Sequence, residues 1–348
     1  MPLTRSLSES TVVITGASSG IGAATALTLA RRGARLVLAA RSERGLSEIG
    51  EQCRLLGAAV LEVSTDTADV EAVERLAAAA QARFGRIDAW VNNAGVAVYG
   101  RLLDLPLDQV RRTVDVDVFG YLYGVRAAVP RLRASGGGVL IMVGSVLSEV
   151  SIPYLGAYSM AKHAVQGLAD ALRQELQADG IDEVSVCTVL PASVDTPLFA
   201  WAANYMGREV VPPRPMSSPQ RVADRIVRLL EHPRRQSLVG TAAASVVWSW
   251  RLAPALAGRL MVWYGQTAQF GRLMQSSEGN LFTPVEQPRR VDGGRRLPMV
   301  ALAGIPAAAL ADVSRRIRSA WLPTKSRPER LTPRTTSRRA ARVGVTDD

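Results

Sequence analysis

Tyr158 and Lys162 stand four residues apart in the run Gly156-Ala-Tyr-Ser-Met-Ala-Lys162. On a helix that spacing puts both on one face, with Cβ atoms roughly 5–6 Å apart. A free phenol has a pKa of about 10 and is a poor acid or base near neutrality. A neighbouring ammonium favours the phenolate and draws that pKa down, which suits Tyr158 to proton transfer. Ser145 follows a strand-like run, Val139 to Val143, and its hydroxyl could hold a substrate oxygen beside the tyrosine. Of 42 basic residues only Lys162 and Lys325 are lysines. A lysine among Ala161, Ala164, Val165 and Leu168 is therefore a departure that wants a reason. A compact ammonium with three rotatable donors serves several partners at once more easily than a planar guanidinium does. A solvated helix charge is the plain alternative, and Tyr-x-x-x-Lys alone is common by chance.

The elements that would position these residues can be read from the first residues onward. Thr11 to Thr15 is a short buried strand, and Gly16-Ala-Ser18-Ser19-Gly20-Ile21-Gly22 opens a helix running to about Arg32. Strand, glycine-rich turn and helix are the context that a dinucleotide-binding turn requires. Gly16 permits the tight turn, and Gly20 and Gly22 permit close approach. The helix N-terminus then offers N–H groups and a positive dipole end to a pyrophosphate. The next strand, Arg35 to Ala40, ends without the Asp or Glu that binds the ribose 2′-hydroxyl in NAD-preferring units. Arg41 and Ser42 follow instead and could bind a 2′-phosphate, so NADP is expected over NAD. A solvated loop arginine is the competing reading.

A helix from about Glu43 to Leu56 leads to a strand at Ala58 to Val63, and Asp66 after it could bond an adenine amino group. Capping the helix from Ala68 to Phe84 is its other possible role, with Asp69 as competitor. The strand Ile87 to Val91 ends in Asn92-Asn93-Ala94-Gly95, whose carboxamides could tie strands together and floor the cofactor site. Leu107 to about Leu132 reads as one or two helices carrying Asp117 and Gly120. A helix from Gly156 to about Asp179 and a strand from Val184 to Leu190 follow. Pro191 to Pro197 then places Pro191, Val194 and Thr196 where they could meet the nicotinamide carboxamide and the phosphates. A last strand is expected at Gln236 to Gly240. Repeated strand–helix alternation with near-continuous apolar strands implies an α/β chain: a three-layer, Rossmann-like, doubly wound parallel sheet.

Taken together, the turn at 15–22, Asp66, Asn92 to Gly95, Ser145, Tyr158 to Lys162 and Pro191 to Pro197 resemble the short-chain dehydrogenase/reductase family, in its order and roughly its spacing, over about residues 8 to 240. The resemblance implies an oxidoreductase using NAD(P) on an alcohol or carbonyl. It makes Tyr158 the general acid/base and Ser145 the substrate-oxygen anchor. Lys162 would lower the tyrosine pKa and bind the nicotinamide ribose. Gly16, Ser18 to Gly22, Asn93, Ala94, Gly95, Tyr158, Lys162, Pro191, Val194 and Thr196 would contact the cofactor. The family usually has Asn in Asn-x-x-Gly where this chain has Asp117-Val-Phe-Gly120. There the residue's backbone carbonyl holds a water of the proton relay. An aspartate keeps that carbonyl, but its carboxylate could raise the lysine and tyrosine pKa values. Ala192 replaces a common Gly, which matters only if φ must be positive.

At 348 residues and 47% hydrophobic content the chain can bury a large core. Cys53 and Cys187 lack zinc or disulfide spacing and read as inert core. With only His163 and His232, a histidine triad or multi-histidine metal site is nearly excluded. Ten basic and three acidic residues fall between Ser314 and Asp348. That basic tail lacks interleaved aromatics and is expected to be solvated and disordered, with no nucleic-acid partner. The start of the chain shows no charged-then-apolar leader, so a cytoplasmic protein is expected.

Residues 1–240 are expected to form the catalytic domain, with 198–235 as a variable substrate lid. Phe199, Trp201, Tyr205 and Met206 in that lid point to a bulky apolar substrate, or else pack on the core. Residues 241–313 read as a helical apolar extension. Gln236 to Trp250 and Leu297 to Ala311 are uncharged runs, each too short to span a bilayer alone. With Trp248, Trp250, Trp263, Tyr264 and bracketing arginines, they have the composition of an interfacial segment. A cover over the substrate cleft or a subunit contact competes with that reading, and a homo-oligomer is expected from the resemblance. A different class of function stays open: a cofactor-binding sensor or scaffold, its catalysis blunted by Asp117, with the tail recruiting a partner.

Overall fold

The computed structural model describes residues 2–285 and 291–295. The described residues belong to one compact unit, residues 1–296. The basic tail and the Leu297 to Ala311 run lie outside the described residues.

The elements run in chain order as β1 (Thr11–Thr15), α1 (Gly20–Ala30), β2 (Arg35–Ala40), α2 (Glu43–Leu55), β3 (Val60–Ser64), α3 (Val70–Phe84), β4 (Ala89–Asn92), β5 (Val98–Tyr99) and α4 (Leu107–Val114). Then come α5 (Gly120–Ala134), β6 (Gly138–Val143), α6 (Gly156–Ala178), β7 (Val184–Pro191), α7 (Leu198–Trp201), β8 (Ala203–Asn204), β9 (Arg208–Val210) and α8 (Pro219–Glu231). β10 (Gln236–Val239), α9 (Ala243–Leu252), α10 (Pro254–Thr267) and β11 (Phe270–Leu273) complete the described chain.

Seven strands form one sheet in the order β10-β7-β6-β4-β1-β2-β3, and every neighbouring pair is parallel. The strands are apolar because helices cover both faces. Val12 and Ile14 meet the core on one face, and Val13 meets the core on the other. Leu29 of α1, Leu46 of α2 and Ile226 of α8 fill the first core. Leu76 of α3, Leu132 of α5 and Val165 of α6 fill the second. This is the expected three-layer, doubly wound fold. The chain leaves β1 toward β2 and β3, then crosses back to β4 on the other side. That reversal opens a crevice at the carboxyl ends of β1 and β4, the usual place for a ligand in such sheets.

Several local expectations need correction. The long helical pattern after Leu107 is interrupted by a π-helical turn, Asp115–Phe119, that joins α4 to α5. An insertion of that kind has no signature in apolar spacing. The second half of the expected lid, Pro219–Glu231, is a core helix: Val222, Ile226 and Leu230 are buried. It is capped by Ser218, whose side chain accepts from the Arg221 N–H at 3.1 Å. Among the described residues the extension is helical as far as Thr267. β11 then pairs antiparallel with β9, and the chain continues in turns beside the lid, where Asn204 and Ser277 exchange backbone hydrogen bonds of 2.8 and 3.0 Å. Both cysteines are buried, and burial pushes the Cys53 thiol up to about 11, which fits an inert core role.

Candidate active site

The glycine-rich turn is held against β4 by side chains from two strand ends. Thr15 Oγ1 accepts from the N–H groups of Asn93 and Ala94, at 3.0 and 3.1 Å. Asn93 Nδ2 donates to Thr15 O at 2.9 Å. Gly16 adopts φ +66°, a conformation that glycine takes without steric cost. A Cβ on Gly22 would stand 2.2 Å from Gly16 O, so α1 can start this close to β1 only as glycine. Ser19, at the N-cap, makes no side-chain capping bond. The first turn of α1 therefore keeps its N–H groups for an incoming anion.

Two clefts open over the sheet edge. The first, about 1100 Å³ with its mouth, is lined by Gly16, Ser18 to Ile21, Arg41, Ser42, Asp66, Asn93 to Gly95, Tyr158, Lys162 and Thr196. These residues fit an extended dinucleotide: a glycine cradle and helix N-terminus at the middle, with cationic and polar groups at one end. The second, about 1400 Å³ with its mouth, is lined mainly by apolar side chains, with Ser145 and Tyr158 at its floor. Tyr158, Gly144, Ile21, Thr196 and Leu198 line both. Pro191 and Val194 line the second cleft. Asp117 and Gly22 line neither and lie beneath the floor.

At the adenosine end, Ser42 caps α2 by accepting from the Gly45 N–H at 3.2 Å, so its oxygen is partly used. Arg41 donates to the backbone carbonyls of Leu281 and Phe282, at 2.8 and 3.0 Å, and to Asn280 O. Asp66 accepts from the Ala68 N–H at 3.0 Å and pairs with Arg112, while Asp69 caps α3. Neither the Arg112 pair nor the 280–282 contact had a signal in sequence, because both join segments far apart in the chain.

At the reacting end, β6 stops at Val143, and Ser145 caps the short turn that follows. Ser145 Oγ accepts from the Leu147 N–H at 3.1 Å, and the Ser145 side chain acts to lower the pKa of the Tyr158 phenol. Tyr158 and Lys162 share one face of α6. Lys162 is only 3% exposed and Asp117 is fully buried. The ammonium lies 3.1 Å from Asp117 Oδ2, and 5.0 and 5.3 Å from the ring centres of Tyr121 and Tyr158. Asp117 Oδ1 accepts from the Val96 N–H at 2.8 Å. The π turn is what aims this carboxylate inward, in keeping with the concentration of such turns at functional sites.

The electrostatics differ from the expectation for an isolated Tyr–Lys pair. Burial raises the Tyr158 pKa. Lys162 pulls it back down, Asp117 adds to the rise, and the Ser145 hydrogen bond lowers it, yet the net direction is up. Burial also works to depress Lys162, but the Asp117 carboxylate and the two phenols outweigh it and hold the ammonium protonated. Asp117 itself lies above the usual carboxylate range, because its burial exceeds the pull of Lys162 and Val96.

Comparison with known proteins agrees with this architecture. Residues 10–204 match the family model described as short chain dehydrogenase. The chain belongs to the short-chain dehydrogenase/reductase family. This short-chain dehydrogenase is thus an oxidoreductase that acts on CH–OH groups with a pyridine nucleotide. It is 36% identical over 259 residues to the uncharacterized oxidoreductase YxnA of Bacillus subtilis, covering 74% of this chain and 72% of that protein. It is 34% identical to dehydrogenase/reductase SDR family member 7B of Xenopus tropicalis, over 72% of this chain and 84% of that one. An alcohol dehydrogenase from Thermococcus sibiricus, solved with 5-hydroxy-NADP, superposes with a TM-score of 0.58 at 30% identity, covering 66% of this chain and 94% of that one. A Burkholderia phymatum member solved with NAD superposes at 0.64 and 29% identity, covering 72% and 95%. No helix among the described residues is long and apolar enough to cross a membrane.

Proposed function

We propose that this dehydrogenase uses NADP and moves hydride between the nicotinamide and an alcohol or carbonyl group of a bulky apolar substrate. The observation that carries this is the meeting of the two clefts at Tyr158: a polar groove with a glycine cradle on one side, a wide apolar cleft on the other. Bound nicotinamide supplies or accepts the hydride, and the protein orients it and manages the proton. Ser145 holds the substrate oxygen. The Tyr158 hydroxyl gives that oxygen a proton in reduction, becoming phenolate, and the Tyr158 phenolate takes one from it in oxidation. Lys162 stays charged and biases the phenol toward phenolate. Asp117 acts through Lys162 as a positioning residue.

The NADP assignment rests on the end of β2, where Ala39 and Ala40 stand in place of a carboxylate and Arg41 lines the groove. One of the two solved relatives carries an NADP derivative and the other NAD, so likeness alone favours neither. Of the aromatic and large lid residues, Phe199 lines the apolar cleft and Trp201 the cofactor groove, while Tyr205 and Met206 pack on small apolar clusters. Val246, Met261 and Tyr264 from α9 and α10 complete the apolar wall. The same hairpin turns Trp248, Leu252, Leu260 and Trp263 outward to solvent, with Arg251 and Arg259 alongside. This one arrangement supports the reading of a lipid-like substrate and of contact between this face and an anionic membrane surface.

Nicotinamide fluorescence titrations test the cofactor assignment. NADPH should bind more tightly than NADH, and Arg41→Ala should erase the difference. Equal or tighter NADH binding in the wild type would withdraw the NADP assignment and leave the proton-transfer site standing. For the chemistry, Tyr158→Phe should keep NADPH affinity and lose about 10²–10⁴ of the rate on bulky ketones. Cofactor binding with no turnover by either protein would return the sensor reading.

A further inference from the structure

Arg41 is held by a strap of the C-terminal extension. Its Nη1 donates to the carbonyls of Leu281 and Phe282, at 2.8 and 3.0 Å, and its Nη2 to that of Asn280. The strap is firmly seated. Leu281 is fully buried in a cluster with Val96, Val98, Leu105 and Val116, and its carbonyl also accepts from Arg112 Nε at 3.0 Å. The Asn280 N–H donates to Trp201 O at 2.7 Å. Gly279 holds φ +54°, and a Cβ there would stand 2.1 Å from Trp201 O, so the strap lies this close only as glycine. Asn280, Pro284 and Val285 line the cofactor groove together with Arg41, Ser42 and Asp66. The extension therefore forms part of the wall at the adenosine end. It also occupies both terminal nitrogens of the arginine assigned above to a 2′-phosphate.

We infer that the strap tempers cofactor choice: Nη1 and Nη2 of Arg41 serve either the strap carbonyls or a 2′-phosphate, so NADP binds as the strap lets go of Arg41. A guanidinium grips a phosphate best through two parallel N–H···O bonds. A phosphate that takes Nη1 and Nη2 takes them from three carbonyls. A charged phosphate brought close while the strap is docked also faces the negative ends of those carbonyl dipoles, in surroundings less polar than water. A ribose 2′-hydroxyl makes no such demand, being uncharged and able to donate as well as accept. NAD is thus accommodated with the strap docked. The strap is a specificity-determining element contributed by the C-terminal extension, and it lowers the NADP preference that Arg41 confers. Leu281 and Gly279 act through Arg41 as positioning residues. The inference rests on reading Arg41 as the 2′-phosphate ligand.

Titration of the full chain with NADPH and with NADH tests it through the ratio of the two affinities. Leu281→Ala removes the strap's apolar anchor, and Gly279→Ala, as a second variant, pushes the strap away from Trp201 O. Each should raise the preference for NADPH over NADH about tenfold, the lower end for hydrogen bonds to a charged group, with the change falling on NADPH. In an Arg41→Ala background neither substitution should move the ratio. Because the ratio is internal to each protein, partial loss of folded material cancels. A ratio that rises in neither variant, or that rises as much without Arg41, overturns the inference, as does a wild type that binds neither nucleotide. The wild-type ratio separates the two readings. A wild type that favours NADH, shifted toward NADPH by the strap variants, would withdraw the NADP assignment and leave the strap its role. A preference for NADPH that both variants leave untouched would do the reverse.

Discussion

A carboxylate lies 3.1 Å from the ammonium at the heart of the site and bears on the electrostatics of the tyrosine beside it. Asp117 contributes to the rise in the Tyr158 pKa and to that of Lys162. Asparagine at this position keeps the shape and an oxygen to accept from the Val96 N–H, but removes the charge. The Tyr158 pKa should then fall. In the alcohol oxidation proposed for this site the Tyr158 phenolate is the base, so activity should rise as pH passes upward through that pKa. The pH profile of kcat/KM for Asp117→Asn should therefore move to lower pH, with more activity retained near neutrality. A profile that drops in height without moving would mean that Asp117 serves the fold alone. The aspartate was visible in the sequence as a departure from the family pattern. Its direct pairing with Lys162 was not, because that depends on the π turn rotating the side chain inward.

At the scale of elements, α1 is seated by a contact that admits no side chain. Gly22→Ala would place a methyl 2.2 Å from Gly16 O, and the turn would have to move away from β1. Overpacking of this kind costs about 1–3 kcal/mol or more. The variant should melt several degrees lower and lose NADPH affinity, since the displaced backbone is the cradle itself. Gly167, exposed on α6 with nothing within 4 Å of an added Cβ, is the control. Gly167→Ala should be neutral or stabilising by about 0.5–1 kcal/mol. Thermal denaturation of the two variants side by side decides the point. Most of these elements could be read from apolar spacing, because strands buried on both faces and helices with one buried stripe leave strong periodic marks. The short pairings did not announce themselves. β11 has four residues and β9 three, and each exists because the other lies beside it.

For the molecule as a whole, the open question is what covers the outer face of α9 and α10. Trp248 and Trp263 are both more than half exposed, at 55% and 57%, and exposed apolar patches of this kind mark contact surfaces. The protein should co-sediment with anionic phospholipid vesicles, with a blue shift of tryptophan fluorescence, and bind neutral vesicles less well. Trp248→Ser with Trp263→Ser should weaken that binding while leaving NADPH affinity unchanged. Concentration-dependent dimerisation without vesicle binding would reassign the face to a second copy of the chain.

Local pattern was enough for the sheet, its helices, the glycine turn and the Ser145–Tyr158–Lys162 constellation. Each of these depends on residues within a few turns of chain, or on a periodicity that burial imposes. Only the folded chain could say that Arg41 is tied to the carbonyls at 280–282 and that Pro191 and Val194 line the apolar cleft. Those facts join segments up to about 240 residues apart. A side chain carries no mark of which distant backbone it will meet until hydrophobic burial has brought the two together.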